Sequence, residues 1–160
     1  MSGFVTAYHC TNSGTNTINE TPYGVRAPVS SKEYDFAFVA RTYTTDTISR
    51  AVYNIAGKTL MANAYAHAVQ GTVVGRTGMA TGYNTGKVLY VIASNALGKD
   101  LIVTDCKSKG GDSGGPYFVD PSSSTPTIAG IHIGSWDALD THSAYYRDVQ
   151  YIRDAGIQIE

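Results

Sequence analysis

The apolar residues of this chain come in short runs, each ended by glycine, proline, asparagine or aspartate before it is long enough for a helix. Residues 34–44, 87–94 and 100–105 are the clearest runs, rich in the β-branched and aromatic side chains that pack well on a pleated surface. Residues 3–7, 51–53, 59–61, 69–74, 117–119 and 127–133 read as further strands. Between them, 11–28 reads as an irregular connection and 77–86 as a turn-rich crossover. Residues 107–116 read as a glycine-rich loop and 120–126 as a hairpin-like one. The period changes only near the end. Tyr145, Val149 and Ile152 recur at spacings of four and three, which predicts an amphipathic helix over 144–155, with Gly156 just past its end. A chain patterned in this way is restricted to an all-β body, as a sandwich or barrels, closed by one C-terminal helix.

Composition narrows the function classes. With 160 residues the chain suits one domain, or two small subdomains sharing a core. Hydrophobic residues are 42% and charged residues only 16%, a balance opposite to that of a disordered chain. Twelve basic and 13 acidic residues, with no basic cluster, argue against a nucleic-acid binder and against a polybasic membrane binder. No run of 18 apolar residues exists, so no membrane span is expected. Met1–Thr6 has no basic region followed by an apolar stretch, so no signal peptide is read in this chain. Two cysteines, Cys10 and Cys106, allow at most one internal bridge. No metal or organic cofactor is implied, because no second ligand pair is spaced to complete a zinc site with His9 and Cys10.

Three segments carry chemistry: Thr6-Ala7-Tyr8-His9-Cys10, Asp35-Phe36-Ala37, and Gly111-Asp112-Ser113-Gly114-Gly115-Pro116. A serine hydroxyl is a poor nucleophile at neutral pH; it needs a base beside it, and the base needs an orienting carboxylate. His9, Asp35 and Ser113 supply that set in the order His, Asp, Ser. Glycines around Ser113 let the backbone turn tightly, which would aim the amides of Gly111 and Ser113 at one point where an oxyanion can form. Asp46 is the rival orienter, set in a loop-like Thr-Thr-Asp-Thr stretch. His67 and His142 have no motif around them and read as surface or packing histidines.

These segments resemble the chymotrypsin-fold serine proteases, closest to the small secreted bacterial endopeptidases of the streptogrisin and α-lytic types. The separations of 26 residues from His9 to Asp35 and 78 from Asp35 to Ser113 suit that branch. The resemblance runs over nearly all of the chain from Gly3 onward. It implies two antiparallel six-stranded barrels with the triad between them. The first barrel, carrying His9 and Asp35, would span residues 1–70; the second, carrying Ser113 and the closing helix, would span 71–160. It further implies a protein or peptide substrate, an extracellular setting and a monomer. Arg76 matches the arginine that pairs, in the bacterial branch, with the carboxylate preceding the nucleophile, here Asp112. That pair would hold the Ser113 loop without cleavage of an N-terminal segment.

The pocket is read from the same resemblance. Lys107 stands where trypsin-like enzymes carry aspartate, which argues against cleavage after Arg or Lys. Ser108 and His132 match the residues with which glutamate-specific members grip a carboxylate, so the pocket expectation is Ser108, His132 and Lys107 around an acidic side chain. The alternative is an apolar pocket with His132 packed in a strand. Ile133, Gly134 and Ser135 would in that case bond an extended substrate as an added strand.

The chain also departs from the family pattern. Only eight residues precede His9, where relatives place a pair of strands, so the first barrel is expected to be incomplete. Cys10 and Cys106 lack their usual partners. Tyr8 occupies a position where relatives carry a small residue, and it must find room beside the base. Two readings of different classes therefore stand: a serine endopeptidase, or a catalytically silent protease-like binding module or incomplete fragment. An α/β-hydrolase is a poorer third, because Gly111–Gly115 has the elbow spacing but the triad order is wrong.

Overall fold

The computed structural model describes residues 3–18, 21–42, 51–53, 59–61, 64–95, 98–138 and 141–158. Four strands, β1 (Gly3–Thr6), β2 (Thr15–Ile18), β3 (Thr21–Arg26) and β4 (Ala37–Arg41), form an antiparallel sheet in the order β1-β4-β3-β2. β5 (Ala51–Tyr53) and β6 (Thr59–Met61) pair with each other. The remaining strands are β7 (Ala64–Tyr65), β8 (Val73–Gly78), β9 (Gly82–Asn95), β10 (Gly98–Thr104), β11 (Pro116–Val119), β12 (Thr127–Ala138) and β13 (Thr141–Asp148). Six of them run β11-β8-β9-β10-β13-β12, and β12 pairs back onto β11. That closure makes a barrel with no free edge. β7 adds outside it, parallel to β12. One helix, α1 (Val149–Asp154), ends the fold. No helix among the described residues is long and apolar enough to cross a membrane.

Two cores follow from the inward-facing residues. Val74, Val88, Ile102, Cys106, Tyr117, Ala129, Ala144 and Tyr146 fill the barrel. Ala7, Phe36, Leu101, Ile131, Ile133, Ile152 and Ile157 form a second cluster, which draws the first sheet, the barrel wall and α1 into one packing unit. Arg147, fully buried, reinforces this joint: its Nε donates to the Tyr34 carbonyl at 2.8 Å, and its guanidinium lies over the rings of Tyr34 and Tyr151.

Three expectations need correction. Residues 11–28 are not irregular, because β2 and β3 form an antiparallel hairpin there. Buried Asn16 supports it, its amide donating to the Gly14 carbonyl at 3.1 Å and its oxygen accepting from the Asn12 amide at 3.0 Å. Residues 77–86 are not a crossover but a hairpin: they hold the end of β8, a tight turn at 79–81 and the start of β9, with Gly82 at φ 66°. The helix does not begin at 144. Residues 144–147 lie in β13, hydrogen-bonded to β10 on one side and β12 on the other, and two ladders outweigh a helical spacing of apolar residues. The Asp148 carboxylate instead caps the helix, accepting from the Gln150 amide at 2.8 Å. Asp46 lies outside the described residues.

Candidate active site

β1 runs straight into a single 3-10 turn, Tyr8–Cys10, which lifts His9 onto the surface. Asp35 sits just ahead of β4, whose Phe38–Ala40 segment pairs with β1, so strand register sets the two side chains side by side. The Asp35 carboxylate accepts twice from His9, at 3.0 Å from its backbone amide and at 2.8 Å from ring Nδ1. A carboxylate can only accept, so the proton of the neutral ring stays on Nδ1 and Nε2 keeps its lone pair. Asp35 is held in the left-handed region at φ 51°, a conformation costing of order 1 kcal/mol or more for a side chain other than glycine. The bonds to His9 and the turn bond from the Asp35 amide to the Lys32 carbonyl hold it there.

Tyr8 has a partner of its own. It lies beneath the guanidinium of Arg26, 4.0 Å from the ring centroid, and Arg26 also donates to Thr11 Oγ1 at 3.1 Å.

Ser113 sits on a loop bent by Gly111 at φ 98° and Gly114 at φ 86°. The Gly114 amide donates to the His132 carbonyl and the His132 amide to the Gly115 carbonyl, both at 2.8 Å, so the loop is stitched to β12. On its other side a Cβ at Gly114 would strike Thr6 Oγ1, which makes that glycine obligatory where the loop meets the end of β1. Cys10 Sγ lies 3.8 Å from the Ser113 carbonyl oxygen. The structure thus brings the His9 turn and the Ser113 loop into contact. Among the described residues no hydrogen bond joins Ser113 Oγ to His9, and the amides of Gly111 and Ser113 have no hydrogen-bond partner.

Asp112, fully buried, anchors the loop from below. Its carboxylate accepts from the amides of Ala80, Thr81 and Lys109 and from the Thr81 hydroxyl, all within 3.0 Å, and Arg76 Nη2 lies 3.2 Å away. Burial alone would raise this carboxyl's pKa. The Lys109 and Thr81 donors together with Arg76 outweigh burial and hold it below the usual carboxylate range. Arg76 also donates to the Lys107 carbonyl and Thr81 Oγ1, tying the segment before Ser113 to β8.

His132, 2% exposed, stacks on Tyr117, which stacks on Tyr146, with centroids 5.9 and 4.3 Å apart. Burial first, then the positive charge of Arg76, pushes its pKa down to about 4, so the ring is neutral at pH 7; among the described residues its Nδ1 has no hydrogen-bond partner. Ile133 is buried, Gly134 half-buried and Ser135 exposed, while Lys107 is exposed beside half-buried Ser108. Ser108 is joined to a residue the sequence did not single out: its amide and its hydroxyl each lie 3.0 Å from His142 Nε2. The other ring nitrogen lies 2.6 Å from Asp137. The signal for this group is the Asp137/His142 pair across the β12–β13 turn, which a helix read over 144–155 leaves without a second strand. His67 is exposed and bonds Asp148 at 2.9 Å. Neither cysteine is bridged; Cys10 is exposed, and burial pushes the Cys106 thiol up to about 11.

No family model and no curated protein matches the sequence. Solved structures do match. A chymotrypsin of Cellulomonas bogoriensis is 28% identical with a TM-score of 0.78, over 96% of this chain and 82% of that one. A glutamic acid-specific serine protease, described as using a histidine triad in substrate binding, is 29% identical with a TM-score of 0.79, over 95% and 82%. Protease A of Thermobifida fusca, at 24% identity and a TM-score of 0.77 over 98% and 83%, shares the fold.

Proposed function

We infer from the fold this chain shares with the bacterial chymotrypsin-type serine proteases that it is a serine endopeptidase working through His9, Asp35 and Ser113. The observation that carries the reading is the paired contact of Asp35 with His9, which leaves Nε2 as the ring's free base, in a turn whose Cys10 touches the Ser113 carbonyl. Ser113 Oγ attacks the scissile carbonyl and passes its proton to His9 Nε2. The carbonyl oxygen, now negative, accepts hydrogen bonds from the amides of Gly111 and Ser113. His9 returns the proton to the leaving amine, and water repeats the cycle on the acyl-enzyme. The hydrogen bond from Ser113 to His9 forms as substrate closes the site, as catalytic contacts commonly do. In this reading the two halves of the chain divide the work, residues 1–70 supplying base and orienter and 71–160 supplying nucleophile and pocket. Asp112 and Arg76 hold the nucleophile loop from within.

For specificity the reading is an acidic residue before the scissile bond, gripped around Ser108, His132 and Lys107. Its supports are the hydroxyl at Ser108, the exposed ammonium of Lys107 and the likeness to a glutamic acid-specific protease. Ile133, Gly134 and Ser135 would pair with the substrate backbone. An extracellular, monomeric enzyme fits the same likeness.

The test is fluorophosphonate labelling read by intact mass, on the chain and on Ser113→Ala. One adduct on the parent and none on the variant supports the triad. Absence of an adduct on folded protein supports a silent protease-like module instead.

A further inference from the structure

We propose that His142, oriented by Asp137, is a specificity-determining residue that acts through Ser108, keeping the Ser108 hydroxyl free to be handed to a carboxylate in the pocket. The inference rests on the acidic-pocket reading above and deepens it.

Asp137 and His142 face each other across the β12–β13 hairpin, and their side chains meet, Nδ1 to Oδ1 at 2.6 Å. The Ser108 amide can only donate, so the Nε2 it reaches at 3.0 Å must carry a lone pair. The ring is then neutral, and its single proton sits on Nδ1, where Asp137 accepts it. Both nitrogens of His142 are thereby assigned by their partners.

This assignment decides what the Ser108 hydroxyl does. Its oxygen is also 3.0 Å from Nε2, so amide and hydroxyl share one acceptor lone pair. When a carboxylate enters the pocket, the hydroxyl proton can swing to it while the amide keeps Nε2 satisfied. No buried polar group is orphaned by the exchange, so its cost is small. An amide or apolar side chain in the pocket offers no charge to draw the hydroxyl across. His142 is about one-third exposed and Asp137 lies mostly in solvent, which leaves the relay at the pocket's rim rather than in its core. The other charged or titratable groups nearby are Lys107 and Lys109 on either side of Ser108, and His132.

The experiment compares the parent, His142→Leu and His142→Gln, the last retaining an acceptor at similar reach. Two readouts are taken. The first is the ratio of kcat/KM for peptides with Glu or Gln before the scissile bond. The second, made in a Ser113→Ala background that needs no chemistry, is binding of product peptides ending in Glu or Gln. A thermal melt reports folding of each variant. The expected result is a Glu-over-Gln preference that falls about tenfold in His142→Leu, chiefly through KM, and is largely restored in His142→Gln. A parent that prefers Glu with a ratio unchanged in His142→Leu overturns this inference and leaves the acidic pocket standing. A parent with no Glu preference in either readout overturns the pocket reading, and this inference with it.

Discussion

Asp35 holds a left-handed backbone and two bonds to His9, and its substitution separates geometry from charge. Asparagine tolerates that backbone better than most residues, so Asp35→Asn should fold. Its amide would favour the wrong ring tautomer at His9, and kcat should fall about 10⁴-fold with little change in melting temperature. Single-turnover acylation of an ester substrate measures it, and a loss below tenfold would mean that Asp35 does not set the tautomer. His132 offers a different kind of test. Its folded pKa is about 4 against an ordinary 6.5, so the unfolded chain takes up this proton first as pH falls. The melting temperature should therefore decline between pH 6.5 and 4, and His132→Phe, which keeps a ring against Tyr117, should flatten the decline across that window.

Among the elements, the loop before Ser113 depends most on one buried contact. Removing the cation in Arg76→Met leaves the Asp112 carboxylate without its counter-charge and should cost about 3–5 kcal/mol. Urea melts measure that cost, and the fluorophosphonate labelling rate of the folded fraction should drop with it. Loss of stability without loss of labelling would show that the Ser113 loop keeps its shape without the pair. The loop was legible in the sequence because its determinants are local: glycines bend the chain where Gly111 and Gly114 take positive φ. The Arg76–Asp112 pair was legible only by resemblance, since nothing local links residues 36 apart. The β2–β3 hairpin was not legible. β2 is mostly polar and held by an asparagine side-chain network, and Pro22 and Gly24 interrupt the pattern of β3, so neither strand shows a sustained apolar alternation. The start of β13 was hidden for another reason. Tyr145, Val149 and Ile152 satisfy a helical period, and only pairing with β10 and β12 reveals the strand. That error also concealed His142, whose partners Asp137 and Ser108 become neighbours only when β12 and β13 form a hairpin.

On the scale of the whole molecule, the cluster around Phe36, Leu101, Ile131 and Ile152 joins elements from both ends of the chain. Loss of either half exposes that shared surface, so unfolding should be a single cooperative event. Denaturant curves followed by fluorescence of Trp136, in β12, and by far-ultraviolet circular dichroism should coincide; separated midpoints would mean that the halves unfold independently. The all-β topology, with partners far apart in sequence, should refold slowly, in milliseconds to seconds or longer. The stacked rings of Tyr117 and Tyr146 carry one more consequence. Burial raises both phenols far above their ordinary range, so they stay neutral while the barrel is closed. The unfolded chain ionises them from about pH 10, so alkali draws the equilibrium toward opening as it rises past that point. Their phenolate absorbance should therefore emerge together, in step with the opening of the barrel, which makes an alkaline spectrophotometric titration a label-free gauge of its integrity.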